Sequence, residues 1–279
     1  GRSTGDTAFE REPITEQDLS NWSNALQAEA VATLDELERR REHFPEEVRE
    51  GCDRLSEIAI PASVTTLGDL AFLRCYGLTA INVNPANATY ASIDGILLNT
   101  PVKSLLKYPA RKSGPYDVPP GTVSIRSYAF EECYQLTAVS LPPSLVEVQD
   151  NAFWDCSALA AITASPENTA FVSTDGVLFD AGKTTLIRYP AARGGAYEVP
   201  PSVSFLVEGA FSHSAGLTQV AVGGSVNTIR PYTFHACSSL SQISLPASVD
   251  FIDHNAFSGC TSLTHFSLPP NLTALAAYA

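Results

Sequence analysis

Apolar and polar residues in this chain recur in a fixed order. A leucine opens each repeat, apolar and polar residues then alternate, a proline follows, and an Ala-Phe pair precedes a cysteine, so that the repeat reads LxxIxLPxxLxxIxxxAFxxC. Its leading leucines are Leu55, Leu78, Leu136, Leu159, Leu217, Leu240 and Leu263. The alternation predicts one short, half-buried β-strand per repeat. The proline ends that strand because it has no backbone N–H to donate.

The cysteines give the length of the repeat. They are Cys52, Cys75, Cys133, Cys156, Cys237 and Cys260. Neighbours lie 23 residues apart within each pair, and the missing member of the series is Ser214. A repeat this short cannot bury its own apolar face, so we expect the repeats to stack, with equivalent side chains in ladders about 4.8 Å apart. The phenylalanines from Phe72 to Phe257 then form one aromatic ladder.

Two insertions interrupt the repeat, near residues 84–117 and 165–198. They resemble each other at an offset of 81 residues, where ATYASIDGILLNTPVKSLLKYPA aligns with TAFVSTDGVLFDAGKTTLIRYPA. In each insertion, two apolar halves flank turn-like residues, 99–101 in the first and 180–182 in the second. This pattern predicts a β-hairpin. An additional turn of the stack is the alternative, and we favour a hairpin that runs into a short extra turn.

The whole pattern resembles the BspA-type leucine-rich repeat of bacterial and protist surface proteins. The resemblance is carried by IPASV at 60–64, by the AFxxC motifs and by DGVLF…LIRYP at 175–190. It implies an α/β-type solenoid over residues 52–279, with about seven 23-residue repeats. Such a solenoid is a right-handed superhelix of mostly short parallel β-strands.

Residues 1–51 differ from the rest of the chain. Leu19, Trp22 and Leu26 follow helical spacing, which predicts a helix over 15–43, and Pro45 begins a second short helix. Solenoids need caps over their open core, so we expect 1–51 to be an N-terminal helical cap. A coiled-coil stub is the alternative, but the segment shows too few heptads.

Ladder spacing would allow disulfides between cysteines of adjacent repeats. Ser214, however, stands in the same position without a partner, which favours buried free thiols that fill the interior.

The sequence contains no motif of a nucleophilic, metal-dependent or nucleotide-binding enzyme, so we predict no enzyme activity, no cofactor and no metal. A Cys–His site near His213 and His235 is disfavoured because the cysteines should face inward. A net charge of −13 argues against nucleic acid as a partner. No apolar run reaches the roughly 18 residues that a membrane helix needs, so we expect no membrane insertion within this chain.

Function should therefore lie in an exposed surface. In many leucine-rich-repeat proteins the strands form a concave binding face, and the outward strand positions here are small and mostly uncharged. They are Glu57, Ala59, Ala80, Asn82, Ala138, Ser140, Ala161, Thr163, Gln219, Ala221, Gln242, Ser244, His265 and Ser267.

Larger side chains are the candidate partner contacts. These are Trp154, Tyr134, Tyr76 and a basic stripe of Lys107, Lys112, Arg188 and Arg193. Large aromatics are typical of binding hot spots. The alternatives are that Trp154 packs against a neighbouring loop and that the cations are simply solvated.

The resemblance implies a secreted or cell-surface adhesion module whose partner is a host matrix or cell-surface protein. No signal peptide is present in this chain. One alternative is a recognition domain excised from a larger surface enzyme, because the chain lacks methionine. Another is an intracellular structural scaffold, because unpaired cysteines suit a reducing compartment.

Overall fold

The computed structural model describes residues 55–68, 71–72, 75–100 and 103–279. The predicted helical cap over 1–51 lies outside the described residues. The chain divides into two compact regions, and the one described here is Glu46–Thr65 with Phe72–Ala279. Its strands are Glu57–Ile60 (β1), Ala80–Val83 (β2), Tyr90–Ile93 (β3), Ile96–Asn99 (β4), Ser104–Lys107 (β5), Gly114–Asp117 (β6), Ser124–Ile125 (β7), Leu136–Leu141 (β8), Glu147–Val148 (β9), Ala161–Ala164 (β10), Phe171–Thr174 (β11), Val177–Asp180 (β12), Thr185–Arg188 (β13), Gly195–Glu198 (β14), Phe205–Leu206 (β15), Leu217–Ala221 (β16), Thr228–Ile229 (β17), Gln242–Ser244 (β18), Phe251–Ile252 (β19) and Ala274–Leu275 (β20).

The repeats stack through two parallel strand ladders. The alternating strand of one repeat pairs with that of the next, Ala138 opposite Ala161 in β8–β10 and Gln219 opposite Gln242 in β16–β18. Short strands form the second ladder, in which Thr228 of β17 lies opposite Phe251 of β19. Paired residues are one repeat apart, which confirms the stacking predicted from the spacing.

The described residues do not support the α/β-type class, since their regular elements are all strands. The turn that carries the Ala-Phe pair shows why no helix forms there. It has two residues in the left-handed region, Tyr128 (φ 58°) and Glu132 (φ 55°) in one repeat. Residues with side chains enter this region singly and not as helices, so the turn cannot become an α-helix.

Each insertion is an antiparallel meander followed by an extra strand in the first ladder. In the first insertion β3 pairs with β4 and β4 with β5, and β6 then joins β8 in parallel. The favoured hairpin with a short extra turn is confirmed. The sequence had placed only one turn, at 99–101, whereas an earlier one lies at Asp94 and Gly95. Gly95 has a φ of 75°, and a Cβ there would lie 2.8 Å from the Ala80 side chain.

Aromatic rings stack along the interior, as the predicted ladder required. Phe130 and Phe153 lie 4.9 Å apart between ring centroids, and Phe234 and Phe257 lie 5.3 Å apart. The extra turns supply tyrosines to the same column: Tyr108 stacks against Phe130 at 5.3 Å and Tyr189 against Phe211 at 5.2 Å. The sequence pattern had not assigned these tyrosines to the ladder.

The cysteines lie beside this column as free thiols. Cys75, Cys133, Cys156 and Cys237 are buried and Cys260 is half-buried. Each thiol in the later repeats donates a hydrogen bond to the preceding repeat, as from Cys156 Sγ to Phe130 O at 2.9 Å. The prediction of free thiols is confirmed for these five, and Cys52 lies outside the described residues.

We expect Phe234→Ala to lower the free energy of unfolding by about 3–5 kcal/mol, because it leaves a cavity between two stacked rings in a fully buried position. Phe257→Ala should cost less because Phe257 is only half-buried. Urea denaturation followed by circular dichroism measures both. Equal losses for the two variants would contradict the ladder as the main source of stability.

Stability should also fall as the pH rises above about 10. Burial raises the pKa of Tyr108 from 10.0 to about 12 and that of Tyr197 likewise to about 12. The unfolded chain therefore releases these protons at a lower pH than the folded chain, and unfolding gains free energy between pH about 10 and about 12. Urea denaturation across this range measures the slope, which Tyr108→Phe or Tyr197→Phe should reduce. A slope unchanged in both variants would show that these phenols do not cause it.

Candidate functional site

The outward side chains of β6, β8 and β10, and of β14, β16 and β18, form a surface that we call the strand face. Small and uncharged residues dominate it, because the alternate residues Val139, Ile162 and Val220 point inward and are buried. Its members are Pro115, Asp117, Ala138, Ser140, Ala161, Thr163, Ala196, Glu198, Gln219, Ala221, Gln242 and Ser244. The outward positions predicted on these strands are thus confirmed.

A groove of about 570 Å³ lies on the second part of the strand face, on β14, β16 and β18. Gln219 and Gln242 line it from opposed positions on neighbouring strands. Their amides place donors and acceptors side by side. Glu198 adds a carboxylate at one side, opposite the small side chain of Ala221. The groove therefore offers hydrogen bonds and space for the main chain of a partner.

Two members of the predicted basic stripe are buried, so the stripe is wrong for Lys107 and Arg188. Lys107 is 8% exposed and Arg188 is 4% exposed. Lys107 Nζ donates to Tyr128 O at 3.2 Å, and Arg188 donates to Gly209 O at 2.6 Å. Each cation binds the carbonyls of the next repeat's turn because the extra strand of the insertion brings it beside that turn.

The two buried cations are neutralised differently. Lys107 Nζ lies 3.5 Å from a carboxylate oxygen of Glu131. At the equivalent position, Ser212 supplies only its hydroxyl, which accepts from Arg188 at 2.8 Å, and its carbonyl at 2.9 Å. Burial lowers the pKa of Arg188, although the guanidinium keeps its charge. These residues hold the insertions in place and are not available to a partner.

Lys112 and Arg193 are half-buried and each reaches the turn of its own insertion. Lys112 Nζ donates to Asp94 O at 2.8 Å, and Arg193 donates to Asp175 O. Arg193 also lies over the ring of Tyr189, 5.7 Å from its centroid. Both cations are therefore anchored to backbone and do not project as free charges.

Trp154 is 8% exposed, so the exposure expected for a partner contact is wrong and the packing alternative is confirmed. Its ring stacks on His235 at 5.5 Å and meets the edges of His213 and Tyr232. The contact requires Gly209: a Cβ there would lie 3.5 Å from the Trp154 ring and 2.7 Å from Asn151 Oδ1. Sequence reasoning missed Gly209, whose signal was its place in a turn position held by larger residues in other repeats.

Tyr134 is 47% exposed and matches its prediction as a surface aromatic. Its hydroxyl donates to Asp155 Oδ2 at 3.1 Å. Burial, and then the negative charges of Glu132 and Asp155, raise the pKa of Tyr134, so it is a neutral donor at physiological pH. Tyr76 is half-buried and close enough to add to this shift.

The histidines near the cysteine ladder do not form a nucleophilic site. His213 Nδ1 lies 3.0 Å from Asp155 Oδ1, and Ser214 is fully buried. Burial raises the pKa of the Cys133 thiol well above its usual value, which removes the thiolate that a nucleophile needs. Across the described ranges, no group of three or more metal-ligating side chains is close enough to hold an ion.

A family model of the BspA type leucine rich repeat region matches residues 32–94, 115–175 and 196–279 in six copies. The chain belongs to the BspA-type leucine-rich repeat family. No curated protein matches it. Proteins of this family are repeat scaffolds that are typically non-catalytic, and the strand face of this BspA-type chain offers contact area and hydrogen bonds.

Three solved structures are similar to this BspA-type chain. A leucine rich cell surface protein from Faecalibacterium prausnitzii is 24% identical over 80% of this chain and 48% of its own, with a TM-score of 0.47. A leucine-rich repeat protein from Eubacterium ventriosum is 19% identical over 79% and 57%, and the pneumococcal vaccine antigen PcpA is 21% identical over 78% and 50%, both with a TM-score of 0.47. The chain spans about half the length of these proteins.

In the part of the BspA-type chain that the structure describes, no helix has the length and apolar character needed to cross a bilayer.

We expect Glu131→Ala to lower the free energy of unfolding by about 3–5 kcal/mol, because it leaves Lys107 buried without its counter-charge. The double variant Glu131→Ala with Lys107→Met should recover much of that loss. Ser212→Ala is the matched change at the second insertion and should cost only about 1 kcal/mol. Urea denaturation measures all three. A loss from Glu131→Ala no larger than that from Ser212→Ala would contradict the ion pair.

Proposed function

We propose that this BspA-type chain is a non-catalytic, cell-surface or secreted adhesion module that binds a protein partner through the strand face. The observation that carries the proposal is the strict register of its outward side chains. Ala196, Gln219 and Gln242 form one row across three strands. Strands in a ladder are about 4.8 Å apart, so this row presents a rigid and evenly spaced set of contacts.

The chemistry of the strand face suits an extended polypeptide segment. Small side chains such as Ala196 and Ala221 let the main chain of a partner approach the sheet. Gln219 and Gln242 can then donate to its carbonyls and accept from its N–H groups. Such a surface works through area, since a stable interface usually buries about 800 Å² on each partner.

The proposed partner is a host matrix or cell-surface protein, and the proposed setting is extracellular. Both proposals are supported by the family resemblance. We also propose that residues 1–51 act as a cap for a solenoid over 52–279, and that Tyr134 and Tyr76 contribute to contacts beside the strand face. Buried anchoring of Lys107 and Arg188 removes them from this surface.

An intracellular structural scaffold is a second candidate. Five free thiols favour it, because disulfides form readily only in oxidising compartments. Fractionation of the source cells would distinguish the two settings: recovery with intact-cell surface label supports adhesion, and recovery only after lysis supports the scaffold.

We expect the double variant Gln219→Lys with Gln242→Lys to weaken binding to its matrix protein at least about tenfold, since two long cations fill the groove and remove two amide contacts. The measurement is biolayer interferometry against a panel of purified extracellular-matrix proteins.

The matched control is Ser225→Lys with Ala247→Lys, which adds the same charge at exposed turn positions. Circular dichroism verifies that both variants are folded. Equal affinity of the two double variants would exclude the groove as the binding site. A parent chain that binds no matrix protein in the panel would refute the matrix partner.

A further inference from the structure

Cys237 and Cys260 occupy the same position in consecutive repeats. The flanking rings of Phe234 and Phe257 lie 5.3 Å apart with only 9° between their planes, so the two backbones run in register at ladder spacing. A ladder spacing of about 4.8 Å lies inside the Cα–Cα range of roughly 4.4–6.8 Å that disulfides span.

The two thiols also point the same way and touch. Cys237 Sγ donates to Phe211 O at 3.1 Å, and Cys260 Sγ donates to Phe234 O at 3.1 Å. A hydrogen bond links the two thiols themselves. The sulfur atoms are therefore neighbours before any reaction occurs.

Accessibility separates this pair from the equivalent pair in the earlier repeats. Cys133 and Cys156 are both fully buried, whereas Cys260 is half-buried. The hydrogen bond from Cys237 lowers the pKa of Cys260 and so favours its thiolate. A thiolate that solvent can reach is the form that attacks a disulfide reagent.

We propose that Cys237 and Cys260 are an oxidisable thiol pair that closes to a disulfide when a low-molecular-weight disulfide is supplied. The Cys260 thiolate attacks one sulfur of the reagent, which forms a mixed disulfide and releases one thiol. The Cys237 thiolate then attacks the Cys260 sulfur and releases the second thiol. Two electrons and two protons pass from the protein to the reagent, whose S–S bond is replaced by the S–S bond of the protein.

The test treats the folded full chain with oxidised glutathione, traps free thiols with an alkylating reagent in acid, and maps the peptides by mass spectrometry without reduction. We expect a peptide pair linked through Cys237 and Cys260, with Cys133 and Cys156 free. The thermal unfolding midpoint of the oxidised chain should rise, because the new bond restricts the unfolded chain.

Cys237→Ser is the control variant, since Ser214 shows that serine fits this position in the fold. In that variant, the reaction should stop at a glutathione adduct on Cys260, and the midpoint should not rise. A glutathione adduct on Cys260 with Cys237 free in the parent chain would overturn the proposal. Failure of Cys260 to react, or equal linkage of Cys133 with Cys156, would also overturn it.

Discussion

Hydrogen bonding between equivalent backbone groups of successive repeats is the constraint on which the structure depends. The turns take part as well as the strands: Phe130 N donates to Ala152 O at 2.8 Å, and Phe234 N donates to Ala256 O at 2.8 Å. Because every repeat is held in register with the next, side chains of one type must lie above one another. The aromatic column, the thiol ladder and the rows of the strand face are three results of this single register.

The sequence predicted this register well because one spacing determines it. Once the period was known, the inward Phe153 and the outward Gln219 followed from their places in the repeat. The insertions were harder, since they follow a different pattern. Lys107 precedes a Tyr-Pro pair and resembles an exposed cation, and its burial depends on Tyr128 O, 21 residues later in the chain. Glu131 was the available signal, as an acid at a turn position expected to be neutral.

Contacts across an insertion could not be predicted from the repeat at all. Asn151 donates to Glu208 at 2.8 Å across 57 residues, and Trp154 packs against His213 and His235 beyond the same insertion. Hot-spot statistics favour exposure for such a tryptophan, but here packing decides its position. The strand face and Tyr134 were predictable because their exposure follows from local alternation or from the turn, without a distant partner.

The offset of 81 residues between the two insertions has a consequence for how such a protein can grow. One insertion and the two repeats that follow form a block, which ends where an identical block begins. A gene could gain such a block by a single in-frame duplication, and each added copy would bring its own cation plug and its own sheet surface. Selection could then adjust the side chains of one copy, such as Ser212 in place of Glu131 or Gln219 in place of Ala138, while the other copy keeps its original role.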